Sequence, residues 1–207
     1  MKILFRLVVL ITIITLNSCS KDEKKVSSIK KINQQNEMIS AYNEGMKNLD
    51  EGDAFSAAKK FLDAELLYPQ SDWAPKSALM AGYSYYIQDY YSEAIFNLER
   101  FINTYPKDRR MDYAHYLLGM CYYENIEGEK KDLQPLIKAK REFIHVINNY
   151  PTTDFALDAT FKIELINDVM ASKEMYLGRH YIKKEKWIPA INRFKSIVNN
   201  YDTTVYT

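Results

Sequence analysis

The sequence predicts an all-α protein, built as an α-solenoid of about four helix pairs with an elongated helix before the fourth pair. The first observation is a period: Gly82 stands 37 residues after Gly45, and Gly119 stands 37 residues after Gly82. The second is that apolar side chains recur at helical spacing on both sides of a short polar turn. A fixed period of this length indicates stacked units that bury their apolar faces against one another.

The unit over residues 75–106 displays the helix pair most clearly. Gly82 in its first half and Ala94 in its second half are small, so the two helix backbones can approach closely. Pro106 then ends the second helix, because proline disfavours helix continuation. The Gly, Tyr, Ala, apolar and Pro positions resemble the tetratricopeptide repeat over roughly residues 38–204. The alternative is an irregular helical bundle with chance similarity.

The N-terminus predicts export and an anchor. Residues 1–18 are typical of a secretory signal peptide, because a basic start precedes an apolar run too short to span a membrane. The run ends in Leu-Asn-Ser-Cys, which resembles the bacterial lipoprotein signal, in which Cys19 becomes the lipidated first residue. The alternative is an ordinary signal peptide followed by a free thiol. Residues 19–35 are polar and predict a flexible tether, and residues 36–207 form the repeat domain.

The first two helix pairs follow in order. The first pair is predicted around residues 40–49 and 54–68, and Asp53 is the expected N-cap of its second helix. The second pair begins after Asp72, a further predicted cap, and Pro75 falls in the first helical turn, where proline is tolerated.

The third and fourth pairs carry two insertions. The charged residues 125–134 delay the second half of the third unit by 8 residues and predict a surface loop. Gly178 follows Gly119 by 59 residues, and subtracting the 37-residue period and these 8 residues leaves 14, about four helical turns. The sequence therefore predicts one long helix over residues 154–184, followed by a last helix from Trp187. The predicted buried stripe of the long helix is Phe155, Ala159, Ile163, Ile166 and Met170.

No residue pattern indicates an enzyme, a metal site, a cofactor or nucleic-acid binding. The histidines at positions 115, 145 and 180 lie 30 and 35 residues apart, without paired ligand spacing. Cys121 stands beside core positions and is expected to be a small buried hydrophobe. The net charge is only +1 and no basic stripe is present.

The first helix of each pair is expected to line a concave groove. Positions three before, one after and four after each reference glycine point inward in repeats of this kind. These groove residues are Tyr42, Met46, Leu49, Leu79, Tyr83, Tyr86, Tyr116, Met120 and Tyr123. Because they are aromatic, aliphatic and Met-rich, the expected ligand is an extended apolar or aromatic peptide. The alternative for each side chain is packing in the core.

Several segments together carry a more specific resemblance. They are Tyr68 to Ala74, Arg100 to Pro106, Asp112 to Glu124 and Lys173 to Tyr201. With the lipoprotein Cys19, they resemble the BamD family, the repeat lipoproteins of the machinery that folds β-barrel proteins into the bacterial outer membrane. The family usually continues into a further repeat or helical cap, so either this sequence is part of a longer chain or another element covers that end.

The resemblance implies a non-enzymatic scaffold and substrate-recognition subunit of outer-membrane barrel assembly. It implies anchoring by lipid at the periplasmic face of the outer membrane. The implied partners are the central assembly barrel protein, other assembly lipoproteins and C-terminal segments of unfolded outer-membrane proteins. In this family the C-terminal half docks onto the central barrel protein, so the basic residues there are candidates for docking, or alternatively a solvated face. These residues are Arg179, Lys183, Lys184 and Arg193. The alternative function is a general periplasmic tetratricopeptide adaptor for cell-envelope or cell-division proteins.

Overall fold

The fold is entirely helical over the residues that the structure describes. The computed structural model describes residues 22–124 and 132–207, with side chains from residue 31 onward. No β-strand occurs within these ranges. The helices are α1 (Asp22–Asp50), α2 (Ala54–Leu67), α3 (Trp73–Tyr86), α4 (Tyr91–Thr104), α5 (Met111–Glu124), α6 (Gln134–Asn149), α7 (Asp154–Lys183) and α8 (Trp187–Asn200).

The helices stack in chain order as a solenoid. Each packs against the helix before it and the helix after it, and α5 also contacts both α3 and α7. The first helices of successive pairs therefore form one layer and the second helices form the other. Buried side chains such as Phe61, Leu98 and Phe143 fill the space between the layers. The predicted all-α solenoid of tetratricopeptide-like pairs is confirmed.

The reference glycines allow the close approach within each pair. A Cβ atom at Gly119 would lie 2.7 Å from Cε1 of Phe143, and one at Gly45 would lie 2.9 Å from the ring of Phe61. Both distances are shorter than real side chains tolerate. Any larger residue at these positions would separate the two helices.

Some helix ends differ from the prediction. The Asp53 carboxylate accepts a hydrogen bond from the Ser56 amide at 3.0 Å, as expected of an N-cap. Asp72 makes no such bond, because its backbone already has helical angles, so the predicted cap there is wrong. Thr153 caps α7 instead of being an ordinary loop residue, since its hydroxyl accepts from the Ala156 amide at 3.2 Å.

The first helix is much longer than the sequence pattern indicated. Residues 22–35 continue α1 and are not a coil, so the predicted flexible tether is wrong for them. Lysine, glutamate and glutamine favour helix even without an apolar stripe, and this polar segment leads directly into the fully buried Met38. Residues 1–21, which include the predicted signal peptide and Cys19, lie outside the described residues.

The long helix before the fourth pair is confirmed. It runs over Asp154–Lys183, one residue shorter than predicted. Ala159 and Ile166 of its predicted stripe are fully buried against the preceding pair. Most of the predicted surface loop, residues 125–131, lies outside the described residues.

Candidate functional site

Three of the nine predicted groove residues belong to the core. Tyr42, Leu79 and Met120 are buried, so for them the prediction of an exposed groove position is corrected. The reason is visible at Tyr42, whose ring lies 5.1 Å from Phe61 in the same pair and 5.1 Å from Trp73 in the next pair. The second helix of the same pair and the next pair supply these contacts, and the position within one repeat does not reveal them.

The other six side chains are half-buried and leave part of their surface accessible. They are Met46, Leu49, Tyr83, Tyr86, Tyr116 and Tyr123. We call the four tyrosines among them, from α3 and α5, the tyrosine groove. Because α3 and α5 lie side by side in the layer of first helices, these tyrosines occupy neighbouring positions on the same layer.

The tyrosines of this groove differ in how their hydroxyls are used. The Tyr116 hydroxyl donates to the Asp158 carboxylate at 2.6 Å, and the Lys162 ammonium lies 5.1 Å from the centre of the Tyr123 ring. The hydroxyls of Tyr83 and Tyr86 have no hydrogen-bond partner among the described residues. Burial, with a contribution from nearby Glu124, raises the pKa of Tyr86. Its hydroxyl therefore stays neutral and can both donate to and accept from a ligand.

The predicted basic docking surface is exposed at three of its four residues. Arg179, Lys183 and Lys184 are exposed near the end of α7. Arg193 of α8 is instead engaged within the chain, since its guanidinium donates to both carboxylate oxygens of Glu174 at 3.1 and 3.3 Å. The positive charges of Arg179, Lys183 and Lys184 are therefore exposed to a partner, whereas that of Arg193 is paired with Glu174.

An exposed apolar stripe on α7 was not predicted. Leu157, Phe161 and Leu165 stand four residues apart and keep 62, 55 and 48% of their surface exposed. Sequence reasoning assigned only the buried stripe of this helix, although the regular spacing of the second stripe is itself visible in the sequence. One apolar face of α7 packs in the core, and the second apolar face is available to a ligand or partner.

No feature of the described residues favours catalysis or metal binding. Among them, no group of histidine, cysteine and acidic side chains is arranged to hold a metal ion. Cys121 is fully buried, and burial raises the pKa of its thiol to about 12, so it is an unreactive core residue. His115 is bonded to Glu142 at 2.8 Å and stacks on His145 with ring centres 3.9 Å apart, which is a packing arrangement.

The described helices also bear on membrane attachment. In the ranges 22–124 and 132–207, none of them combines the length and apolar character that crossing a bilayer requires. The predicted lipidation site, Cys19, lies outside these ranges.

Comparison with known proteins gives the family. A model of the outer membrane lipoprotein family, YfiO, matches residues 34–207. The chain belongs to this family. The outer membrane protein assembly factor BamD of Caulobacter vibrioides is 38% identical over 166 residues, which cover 80% of this chain and 54% of that protein. The BamD of Rickettsia prowazekii is 37% identical over 166 residues, covering 80% of this chain and 66% of that protein.

A more distant relative agrees with these two. The BamD of Neisseria gonorrhoeae is 30% identical over 177 residues, covering 80% of this chain and 66% of that protein. The resemblance to the BamD family that the sequence motifs indicated is therefore confirmed. This chain spans between 54 and 66% of the length of these relatives.

Proposed function

We propose that this chain acts in outer-membrane protein assembly as a non-enzymatic scaffold that recognises unfolded barrel proteins. The observation that carries the proposal is the family match over residues 34–207, together with relatives whose name is outer membrane protein assembly factor. The repeat layer supports it physically, because half-buried tyrosines such as Tyr83 and Tyr86 offer adaptable contacts to a peptide. The family match favours this function over a general periplasmic adaptor.

The proposal includes two attachments. The first is a lipid anchor at Cys19 that holds the chain to the periplasmic face of the outer membrane. The second is docking of the basic end of α7 onto the central assembly barrel protein, with other assembly lipoproteins in the same complex. Arginine suits such docking because its planar guanidinium pairs with a carboxylate through two hydrogen bonds.

Co-purification from the native membrane tests the function. The full chain, tagged at its C-terminus and solubilised in mild detergent, should recover a large barrel protein with periplasmic domains, identified by mass spectrometry. Recovery of peptidoglycan enzymes without that barrel protein would contradict the proposal. In cells fractionated without detergent, Cys19→Ala should move the chain into the soluble periplasmic fraction, because a lipid group supplies the membrane affinity. Retention on membranes after a salt wash would contradict the anchor.

A charge reversal in the same experiment tests the docking surface. Arg179→Glu with Lys183→Glu should reduce recovery of the barrel protein at least tenfold, because like charges across an interface are costly. Arg193 is left unchanged, since its ion pair with Glu174 joins α7 to α8. The matched control reverses two exposed lysines of the first pair, Lys47 and Lys59. Full recovery with the α7 variant, or equal loss with the control, would place the docking surface elsewhere.

A further inference from the structure

The tyrosine groove does not end at α5, because α7 packs directly beside it. Phe155 lies with its ring centre 5.2 Å from that of Tyr116, and Asp158 accepts the hydrogen bond from the same tyrosine. One turn further, Lys162 lies against the ring of Tyr123. The first half of α7 therefore forms the next wall after the α5 tyrosines.

The exposed apolar stripe of Leu157, Phe161 and Leu165 adjoins this wall. At about 100° per residue, Leu165 projects within roughly 20° of Asp158 around the helix axis, and Phe161 within roughly 60°. Phe161 also stands 18 residues, or five full turns, before the exposed Arg179, so the two side chains project from the same side of α7. Contiguous exposed apolar side chains mark a binding surface more often than single scattered ones do.

We propose that the groove continues from the tyrosines of α3 and α5 across the apolar stripe of α7, and that its ligand is one extended polypeptide segment of alternating apolar or aromatic residues. This inference rests on the proposed function, since it assumes that the tyrosine groove binds peptide. It adds the second half of the site, on α7.

Tyrosine hydroxyls and aliphatic side chains together select an extended segment. The Tyr83 and Tyr86 hydroxyls, which lack partners within the described ranges, match the free amide and carbonyl groups of an extended backbone. A helical ligand has satisfied its backbone groups internally and has no use for them. A second copy of this chain is a poor occupant, because three half-exposed side chains provide only a small part of the roughly 800 Å² per partner that stable dimers bury.

The spacing of the helices sets the length of the ligand. Packed helices lie about 8–10 Å apart, so the path from α3 over α5 to α7 is roughly 20 Å. An extended chain advances about 3.3 Å per residue, and about six residues therefore cross from Tyr83 to Phe161. A segment of about twelve residues fills both halves of the site with its ends free.

Site-specific photocrosslinking tests the continuity of the groove. The probe is a synthetic peptide of about twelve residues that alternates Phe, Tyr and Leu with Ser, Thr and Asn. A photoreactive phenylalanine analogue is placed in the full chain at Tyr83 or at Phe161, two accessible positions, and the attached peptide residue is mapped by mass spectrometry. Position 83 should attach to one part of the peptide, and position 161 should attach to a part about six residues away. The same analogue at the exposed Phe96 of α4 should give no attachment.

A binding measurement gives an independent readout. Phe161→Ser with Leu165→Ser should weaken binding of the fluorescent peptide at least tenfold, and Phe96→Ser should leave it unchanged. If Tyr83→Ala weakens binding but the α7 variant does not, and position 161 fails to crosslink, the extension onto α7 is overturned while the proposed function stands. If the wild-type chain binds no such peptide, peptide recognition by the tyrosine groove and its extension fall together. The α7 variant and the Phe96→Ser control change exposed side chains, so circular dichroism should report an unchanged fold for both.

Discussion

At the scale of single residues, the contact between Gly119 and Phe143 sets how closely α5 and α6 pack. The ring of Phe143 is fully buried and lies where a side chain at position 119 would begin. A similar contact joins Gly178 to Phe194 in the last pair, but Phe194 is only partly buried. Equivalent sequence positions therefore differ in how freely the opposing ring can move.

Gly119→Ala should accordingly destabilise the fold more than Gly178→Ala. The added methyl group at position 119 meets a ring that surrounding core residues hold in place, and such overpacking costs about 1–3 kcal/mol. At position 178 the Phe194 ring can shift towards solvent, which reduces the loss. Urea unfolding followed by circular dichroism measures both free energies. Equal losses of unfolding free energy in the two variants would mean that burial of the opposing ring does not set the cost of the added methyl group.

At the scale of elements, one left-handed residue shapes the turn within three of the four helix pairs. It stands seven residues after the reference glycine in the first, second and fourth pairs. The next amide then donates to a carbonyl five residues earlier, which satisfies the end of the first helix. The left-handed residues are Gly52, Asp89 and Glu185, with φ angles of 81°, 63° and 57°, and the amides of Asp53, Tyr90 and Lys186 make the bonds at 2.9, 3.0 and 3.0 Å.

This shared turn predicts opposite effects for two substitutions. Glu185→Gly should stabilise the fold by up to about 1 kcal/mol, because glycine adopts a positive φ without the steric cost that other residues incur. Gly52→Ala should destabilise it by about 1 kcal/mol for the same reason. Asp89 is a less suitable test, since its carboxylate also accepts a hydrogen bond from the Tyr91 hydroxyl. Thermal unfolding measures both changes, and a shift in the same direction for the two variants would refute the assignment.

The order and pairing of these elements were predictable, because backbone contact fixes them locally. The spacing of Gly82, Ala94 and Pro106 follows from two helices that touch and then stop, and it repeats wherever that geometry repeats. The turn residue at Glu185 was not predictable in the same way. Its conformation follows from the helix end that it closes, and glutamate carries no preference for a positive φ.

The candidate site was predictable only in part, because exposure depends on neighbouring units. Tyr42 and Tyr83 occupy positions of the same type, yet Trp73 of the next pair covers Tyr42 while Tyr83 stays half-exposed. Similarly, Arg193 and Arg179 looked alike, and only the packing of α8 on α7 brings Glu174 to Arg193. Residue type and period specify a face of a helix, but tertiary contacts decide which side chains on it stay available.

At the scale of the whole molecule, buried carboxylates join helices of the stack, both within a pair and between neighbouring pairs. Glu65 of α2 accepts two hydrogen bonds from Arg100 of α4, at 2.8 and 2.6 Å, and a third from Tyr105. Glu142 of α6 is similarly bonded to His115 of α5. Breaking such a pair leaves a charge or polar group in a site with little water, which is costly. The cohesion of the solenoid therefore depends on which protonation states these groups keep.

The cluster of α5 and α6 makes this cohesion sensitive to pH. Burial lowers the pKa of His145 below its ordinary value of 6.5, and the adjacent His115 lowers it further, against a weaker opposing effect of Glu142. Burial alone would raise the pKa of Glu142, but hydrogen bonds from His115 and Arg141 outweigh it and hold this pKa below 4.5. Both groups thus bind a proton more weakly in the folded chain than in the unfolded chain.

Acidification should therefore destabilise the fold in two steps. When the pH falls below about 6.5, the unfolded chain takes up a proton at position 145 that the folded chain resists, so the free energy of unfolding decreases. Below about 4.5 the same argument applies to Glu142. Urea unfolding at several pH values between about 7.5 and 5 measures the first step. His145→Gln should flatten the dependence in this range, while His180→Gln, at an exposed position of α7, should retain it. A wild-type slope in the His145 variant would mean that other groups govern the acid response of the stack.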